Sequence, residues 1–405
     1  MQPLDIHEVC DRVDVQQIVV RERLITLFFA VLGLSATSWG GLALMAQLER
    51  RYVERKPLLT QEAFADLVAI AWAVPGPVAC NVAVGLGYAL RGSLGALVAG
   101  LASVIPFFIA MVALALAYLH HSLPAVLNPA VLPRFRVVLV CLIAVTLWRQ
   151  SRSLLKKRPE QAIAAIATLL LWLEPAPAVF VGVLCGAFAF GWLTGPRRGR
   201  DARARLPSLA RHEWAAFGFY AVALTVFALV PLDAVPSRTI DTLRQVGASL
   251  SLFGGGFSAF PILRSLFVGG AHGVSADTFN TAFTLSAIVP GPLLNVVPFL
   301  GQLCGGVSGA VLATMAFFAP TGALAVFAHR WLGILRQSPR FEHALGYSRA
   351  AATAFLADAV LRLLPNIPAT SVDVLLAGAS LFTLGKLKLP VYWLYLAVAV
   401  SSLVT

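Results

Sequence analysis

Two proline-glycine-proline triplets, Pro75-Gly76-Pro77 and Pro290-Gly291-Pro292, stand inside stretches otherwise apolar enough to span a membrane. A glycine cluster precedes each, Trp39-Gly40-Gly41 in one case and Phe253-Gly254-Gly255-Gly256 in the other. An asparagine follows each, Asn81 or Asn295, then a glycine-rich run and a proline within an apolar segment, Pro106 or Pro320. Proline removes an N–H donor and clashes with the preceding turn. Glycine allows close backbone approach and left-handed conformations. Backbone opened in this way is tolerated at membrane depth only where it is buried in protein or lines a watery cavity. A half-helix starting after each triplet would aim its N–H groups and the positive end of its dipole at that cavity, which favours an anion. The residues placed at the binding site on this argument are Gly40, Gly41, Pro75, Gly76, Pro77 and Asn81, with Gly254, Gly255, Gly256, Pro290, Gly291, Pro292 and Asn295 in the second copy.

Small polar residues surround the breaks: Ser35, Thr37 and Ser38 before Gly40, and Ser249, Ser251 and Ser258 around Gly254–Gly256. Their hydroxyls could bond an oxyanion or could satisfy broken backbone. Ionisable residues are rare inside the apolar segments and therefore informative. Arg264, in FPILRSLF, could offer paired donors to an oxyanion and joins the substrate-binding set, or it could snorkel to an interface. Asp358 and Arg362 are four residues apart, which puts them on one helix face and favours an ion pair. A coupling proton on Asp358 is the alternative role.

The elements that must position these residues follow from composition. The chain has 405 residues, 59% of them hydrophobic and 12% charged, with a mean hydropathy of +0.81. A soluble protein of this size could not hide so much apolar surface, so the chain reads as an all-α polytopic membrane protein embedded in a lipid bilayer. The opening MQPLDIHEVCDRVDV is too charged for a secretory signal, and the first apolar segment is expected to stay in the mature protein. The net charge of +12 is concentrated in the connections 149–158, 197–211 and 330–349. That placement suits orientation by the positive-inside rule, and no aromatic-interleaved basic face suggests nucleic acid as a partner. Five cysteines without paired spacing read as small hydrophobes, and no histidine spacing suggests a metal site. No cofactor is expected.

Apolar segments fall near 24–48, 64–90, 93–119, 133–148, 161–174 and 178–194, then 213–231, then 242–268, 279–301, 304–329, 350–365, 369–384 and 388–404. The two copies of the motif lie about 215 residues apart, so one half repeats the other. The expected domains are a first half over 1–195, an Arg-rich loop plus one linking helix over 196–241, and a second half over 242–405. The lone linking helix turns the second half over, giving inverted-topology repeats. The basic link Arg50, Arg51, Arg55 and Lys56 conflicts with thirteen full spans. Re-entrant hairpins with turns at Gly40-Gly41 and Pro75-Gly76-Pro77 remove the conflict, because the basic link and Arg91 then share the cytoplasmic side.

At these residues the chain resembles the chromate ion transporter family in its long, two-domain form. The first copy reads WGGLALMAQLERRYVERKPLL and VPGPVACNVAVGLGYALRGSLGALVAG; the second reads FGGGFSAFPILRSLFVGG and VPGPLLNVVPFLGQLCGGVSGAVLAT. The resemblance is strongest over 24–119 and 242–329. Trp39 replaces the family's usual phenylalanine, and Leu42 stands where a proline commonly follows the first glycine pair. The resemblance implies a bacterial inner-membrane secondary transporter with a cytoplasmic N-terminus. It would export chromate by alternating access and confer chromate resistance, and a homodimer is compatible with that layout. Sulfate, a tetrahedral dianion of like shape, is the alternative substrate, by uptake or exchange. A membrane enzyme acting on lipid head groups is the more remote alternative, and would require a His, Asp or Ser constellation at one membrane face.

Overall fold

The structure, a computed structural model, describes residues 22–122, 131–196, 211–230, 238–253, 256–269, 273–335, 338–366, 370–387 and 391–404. The described residues are helical almost throughout. The first half contains α1 (Leu24–Thr37), α2 (Gly41–Glu49, prolonged by a π-helical turn Arg50–Arg55), α3 (Gln61–Ala73), α4 (Val78–Leu119), α5 (Leu132–Leu154), α6 (Arg158–Leu173) and α7 (Pro177–Thr194). The linking helix is α8 (Arg211–Leu229). The second half repeats the order with α9 (Arg238–Ser249), α10 (Ala259–Phe267, entered through a 3₁₀ turn Gly256–Ser258), α11 (Ala276–Ile288), α12 (Val296–Leu335), α13 (Pro339–Leu363), α14 (Ser371–Phe382) and α15 (Tyr392–Val404).

Matching local chemistry builds matching elements. Thr60 caps α3 by accepting from Ala63 N at 3.2 Å, and Ser275 caps α11 by accepting from Thr278 N at 3.1 Å. The helices α4 and α12 are each bent back on themselves. At Arg91–Gly92 the backbone leaves helical geometry, with Gly92 at φ +63°, and Gly305–Gly306 does the same with Gly306 at φ +63°. A methyl group at Gly87 would collide with the backbone of Gly95, and one at Gly301 would lie 2.9 Å from Ala310 Cα. Residues eight or nine apart along a straight helix would be separated by about 12–14 Å. Each long helix is therefore a tight hairpin of two arms, 78–90 with 93–119 and 296–304 with 307–335. Only glycine permits backbones to approach so closely at these positions.

The segments before these arms also double back. Glu22 and Lys56 pair at 3.8 Å, closing the base of a hairpin formed by α1 and α2 whose tip is Ser38–Gly40. A Cβ on Gly85 would lie 3.1 Å from Leu67 Cδ2, although the two residues flank Gly76 at equal distance in the chain. So α3 and the arm 78–90 form a second hairpin, with the PGP triplet at its tip. Each arm of that second hairpin is about 20 Å long, short of the roughly 30 Å hydrocarbon core. These are re-entrant hairpins, as the charge of the Arg50–Lys56 link leads one to expect.

The second half enters from the opposite face. Arm 93–119 starts at the base of the first-half hairpins and runs about 40 Å away from it. At its far end Tyr118 Oη lies 3.4 Å from Thr278 Oγ1, at the base of the second-half PGP hairpin, and the Tyr118 and Phe299 rings are 5.8 Å apart. Beside them Arg136, near the start of α5, pairs with Asp277 at 3.6 Å. The repeats are therefore inverted. Tracing α5 back from Arg136 brings Arg149, Arg152 and Lys156–Arg158 to the face that already carries Arg50, Arg51, Arg55, Lys56 and Arg91. Arg149 there donates to the Leu384 carbonyl, close to Lys386. We refer to this side as the basic face.

Buried side chains include a dense phenylalanine core around Phe107, Phe135, Phe260, Phe279, Phe283, Phe317 and Phe355. Large apolar residues such as Ile25, Phe29, Leu97, Ile109, Leu193, Met315 and Leu375 point outward. An apolar exterior over helices of this kind is what lipid contact requires. The chain is a multi-pass membrane protein.

Candidate functional site

The four hairpin tips meet between the halves, and they meet reciprocally. Gly291, in the second PGP, donates its N–H to Ser38 O at 2.8 Å, and Gly40 donates to Gly291 O at 3.1 Å. Gly76, in the first PGP, donates its N–H to Leu252 O at 2.8 Å. Ser38 and Leu252 are the residues just before Trp39-Gly40-Gly41 and Phe253-Gly254-Gly255-Gly256. Each PGP tip thus pairs with the glycine-cluster tip of the other half. A triplet flanked by prolines presents only the glycine N–H, because proline has none. The opposite half satisfies that single donor, which would otherwise cost several kcal/mol at membrane depth. The bonds also explain the left-handed glycines: Gly40, Gly76 and Gly291 have φ of +85°, +108° and +133°.

The crossing arms complete the junction. A Cβ at Gly76 would lie 2.6 Å from Thr321 Cβ, and one at Gly291 would lie 3.0 Å from Phe107 Cβ. Thr321 and Phe107 directly follow Pro320 and Pro106, so each proline-bearing arm lays its next residue against the opposite PGP glycine. The Phe107 and Phe318 rings approach to 5.3 Å beside this contact. Trp39 Nε1 adds a bond to Ile288 O at 3.0 Å.

The asparagines brace the tips. Asn81 Nδ2 donates to Pro75 O at 3.3 Å, and Asn295 Nδ2 donates to Val289 O at 3.3 Å and Ser286 O at 3.0 Å. Both amides are buried. The hydroxyls serve the backbone as well: Ser35 Oγ donates to Ser103 O at 2.7 Å, Ser38 to Leu34 O, Ser249 to Val246 O, Ser251 to Gly247 O and Ser258 to Phe253 O. Thr37 Oγ1 donates to Gly33 O at 3.0 Å.

Among the sequence-derived site residues, the structure therefore gathers Gly40, Gly41, Pro75–Pro77, Asn81, Pro290–Pro292 and Asn295 around one junction. Gly256 opens the 3₁₀ turn beside it, while Gly254 and Gly255 lie outside the described residues. The expectation that the tip N–H groups face a cavity changes at Gly40, Gly76 and Gly291, whose donors are engaged across the halves. The donors that remain to open the half-helices are those of Val78, Ala79 and Cys80, ahead of the first turn bond from Asn81 N to Pro77 O, and those of Leu293 and Leu294, ahead of Asn295 N to Pro292 O. Their signal in the sequence was only their place directly after each triplet.

Arg264 stands apart from the junction. It sits beyond the middle of α10 on the way to the base, within electrostatic reach of Asp358 and Arg362. Asp358 is fully buried, and Arg362 Nε donates to its two carboxylate oxygens at 2.8 and 2.9 Å, while Arg362 Nη2 donates to Leu171 O at 3.0 Å. The carboxylate is thus held between two cations in the half of the molecule away from the basic face.

Comparison with known proteins agrees with this architecture. The chain is 28% identical over 378 residues to a chromate transport protein of Pseudomonas aeruginosa, covering 89% of this chain and 85% of that one. It is 27% identical over 403 residues to a probable chromate transport protein of Synechococcus elongatus, covering 94% of each. An uncharacterized transporter of Methanocaldococcus jannaschii is 26% identical over 305 residues, 73% of each chain. No solved structure matches. The profile of the family described as Chromate transporter matches residues 25–192 and 243–403, one segment in each half, and the chain belongs to that family of transporters.

Proposed function

We propose that this chain is a secondary transporter that exports chromate, or another tetrahedral oxyanion, across a bacterial inner membrane by alternating access, and so confers resistance. The observation that carries the reading is the reciprocal pairing of Gly76 with Leu252 and of Gly291 with Ser38 between inverted halves. Two re-entrant layers that meet tip to tip leave only a thin septum at mid-depth. Rocking one half against the other would open that septum to one face at a time. The half-helix starts at Val78–Cys80 and Leu293–Leu294 supply donors and dipoles suited to an anion there, with no metal or nucleotide required. On the positive-inside rule the basic face is cytoplasmic, which places the N-terminus there too.

The driving force is sufficient. With the cytoplasm negative, export of a dianion gains about 4.6 kcal/mol per 100 mV, or about three decades of concentration. The test is flux of radiolabelled chromate, then sulfate, into everted membrane vesicles with an imposed potential. Uptake that rises with an inside-positive potential supports export. Movement of sulfate without chromate moves the assignment to sulfate handling, and movement of neither overturns it.

A further inference from the structure

The side-chain amides of Asn81 and Asn295 are each only half engaged. Their nitrogens donate to carbonyls, Asn81 Nδ2 to Pro75 O and Asn295 Nδ2 to Ser286 O and Val289 O. Their oxygens, Asn81 Oδ1 and Asn295 Oδ1, are buried and accept no hydrogen bond from the described residues. The two residues are 2% and 0% exposed. Turning either amide over would press its oxygen against the carbonyls that its nitrogen now serves, so the network fixes the orientation. A buried acceptor without a donor is costly and calls for an explanation. Here the same orphan acceptor occurs in both halves, at matching positions after each triplet.

The hydroxyls around the junction do not supply the missing donors. A hydroxyl has one hydrogen, and each of these is committed to a carbonyl: Ser38 to Leu34 O, Ser249 to Val246 O, Ser251 to Gly247 O, Ser286 to Phe283 O, and Thr321 to Phe317 O or Phe318 O. Both amides reach back toward the start of their helices, where the N–H groups of Val78, Ala79 and Cys80, and of Leu293 and Leu294, precede the first turn bond. Each opening therefore offers several donors and one acceptor. A cation is disfavoured there by the positive end of the helix dipole. The group that fits brings negative oxygens to the N–H donors and an O–H to the amide oxygen. A tetrahedral oxyanion carrying a proton does both. A fully deprotonated one leaves the acceptor unpaired and sets oxygen lone pairs against oxygen lone pairs.

We infer that Asn81 Oδ1 and Asn295 Oδ1 select the protonated form of the transported oxyanion, the monoanion, by accepting its hydroxyl hydrogen. The inference rests on the transport reading and deepens it by naming the charge state of the substrate. The anion takes its proton from water on the face of loading, carries it across and returns it to water on the other face. One net charge then moves per oxyanion, so the electrical gain is half that of the dianion. Chromate takes up a proton close to neutral pH, whereas sulfate does so only in strong acid. A site built to pair a substrate hydroxyl rejects the analogue that lacks one. The titratable side chains that approach the junction are the Cys80 thiol, packed in the apolar core, and the Tyr392 phenol, whose ring lies on Trp39. The charge carried per substrate at one fixed pH depends on neither.

The test uses the full chain in proteoliposomes. Current and radiotracer flux are measured together under a clamped potential, with equal pH on both sides, for chromate and for sulfate. We expect about one elementary charge per chromate. The KM for total chromate should rise about tenfold per pH unit above the anion's own pKa, with kcat kept. Sulfate should move with a kcat/KM at least roughly tenfold lower than chromate. Asn81→Ala and Asn295→Ala, made singly, should flatten the pH profile and narrow the preference for chromate by roughly tenfold, which loss of a structural brace alone would not do. If neither variant folds, the charge ratio and pH profile of the wild type decide. Two charges per chromate, or a KM indifferent to pH, would mean that water occupies the amide oxygens, and would overturn the inference while leaving transport intact. A folded alanine variant with the wild-type pH profile would overturn it too. Flux of neither anion in the wild type would instead overturn the transport reading.

Discussion

Gly76 lies against Thr321 so closely that a Cβ added to the glycine would sit 2.6 Å from the threonine Cβ. The same glycine has φ +108° and gives its N–H to Leu252. One residue thus joins the tip of the first half to both the glycine-cluster tip and the crossing arm of the second. Gly76→Ala should abolish transport and destabilise the protein by about 1–3 kcal/mol from overpacking alone. Thr321→Gly added to it should recover part of the thermal stability, because it removes all three colliding atoms, Cβ, Cγ2 and Oγ1. It should not recover all of it, because the left-handed backbone still disfavours alanine. Thr321→Ala should recover less than Thr321→Gly, since it removes the clashing Cγ2 and Oγ1 but keeps the Cβ at 2.6 Å. Melting of the purified variants, followed by fluorescence, decides this, and equal recovery by alanine and glycine would contradict the contact.

The two asparagines do the same work with unequal strength. Asn295 donates to two carbonyls and Asn81 to one. Leaving buried acceptors without donors costs about 1–3 kcal/mol each. Asn295→Ala should therefore lower thermal stability more than Asn81→Ala. A larger loss at Asn81, measured in the same detergent, would mean that the amides face something other than these carbonyls.

Much of this architecture is legible in the sequence because helix breakers act locally. Proline and glycine at 75–77 and 290–292 report a break whatever surrounds them, and Arg91–Gly92 marks the reversal between segments 64–90 and 93–119. The cations at 50–56 report re-entrance because charge must lie at a membrane face. What the sequence does not carry is which break meets which. The pairing of Gly291 with Ser38 spans most of the chain, and nothing in the spacing distinguishes it from a pairing within one half. The same blindness affects the hydroxyls of Ser35, Ser249 and Ser251, which read equally well as substrate donors until their carbonyl partners are seen. Arg264 illustrates the limit most clearly. Its residue type suits an oxyanion, yet its place on α10 puts it with Asp358 and Arg362, which only the packing of α10 near α13 determines.

The pair of Asp358 and Arg362 reads as structural on geometry, and its removal should show that. Arg362→Met alone strips a fully buried carboxylate of its two hydrogen bonds and should destabilise by about 3–5 kcal/mol. Asp358→Leu with Arg362→Met should restore most of that loss, because a buried pair exchanged for apolar residues is often near neutral. The double variant should also keep measurable oxyanion flux with unaltered dependence on the proton gradient. Stable protein without flux, or flux that no longer responds to the gradient, would instead assign Asp358 to coupling.

Opposite insertion of the two sets of hairpins makes a prediction about sidedness that does not depend on transport. Arg55 belongs to the base of the first set, on the basic face, and Asp277 to the base of the second, where it is 84% exposed and paired with Arg136 at 3.6 Å. In a background with the native cysteines replaced, Arg55→Cys should react with a membrane-impermeant maleimide only in everted vesicles. Asp277→Cys should react only in right-side-out cells or spheroplasts. Labelling of both positions from one side would place all four hairpins on the same face. That would be incompatible with Tyr118 lying at the base of the second set, at the far end of an arm that starts from the base of the first.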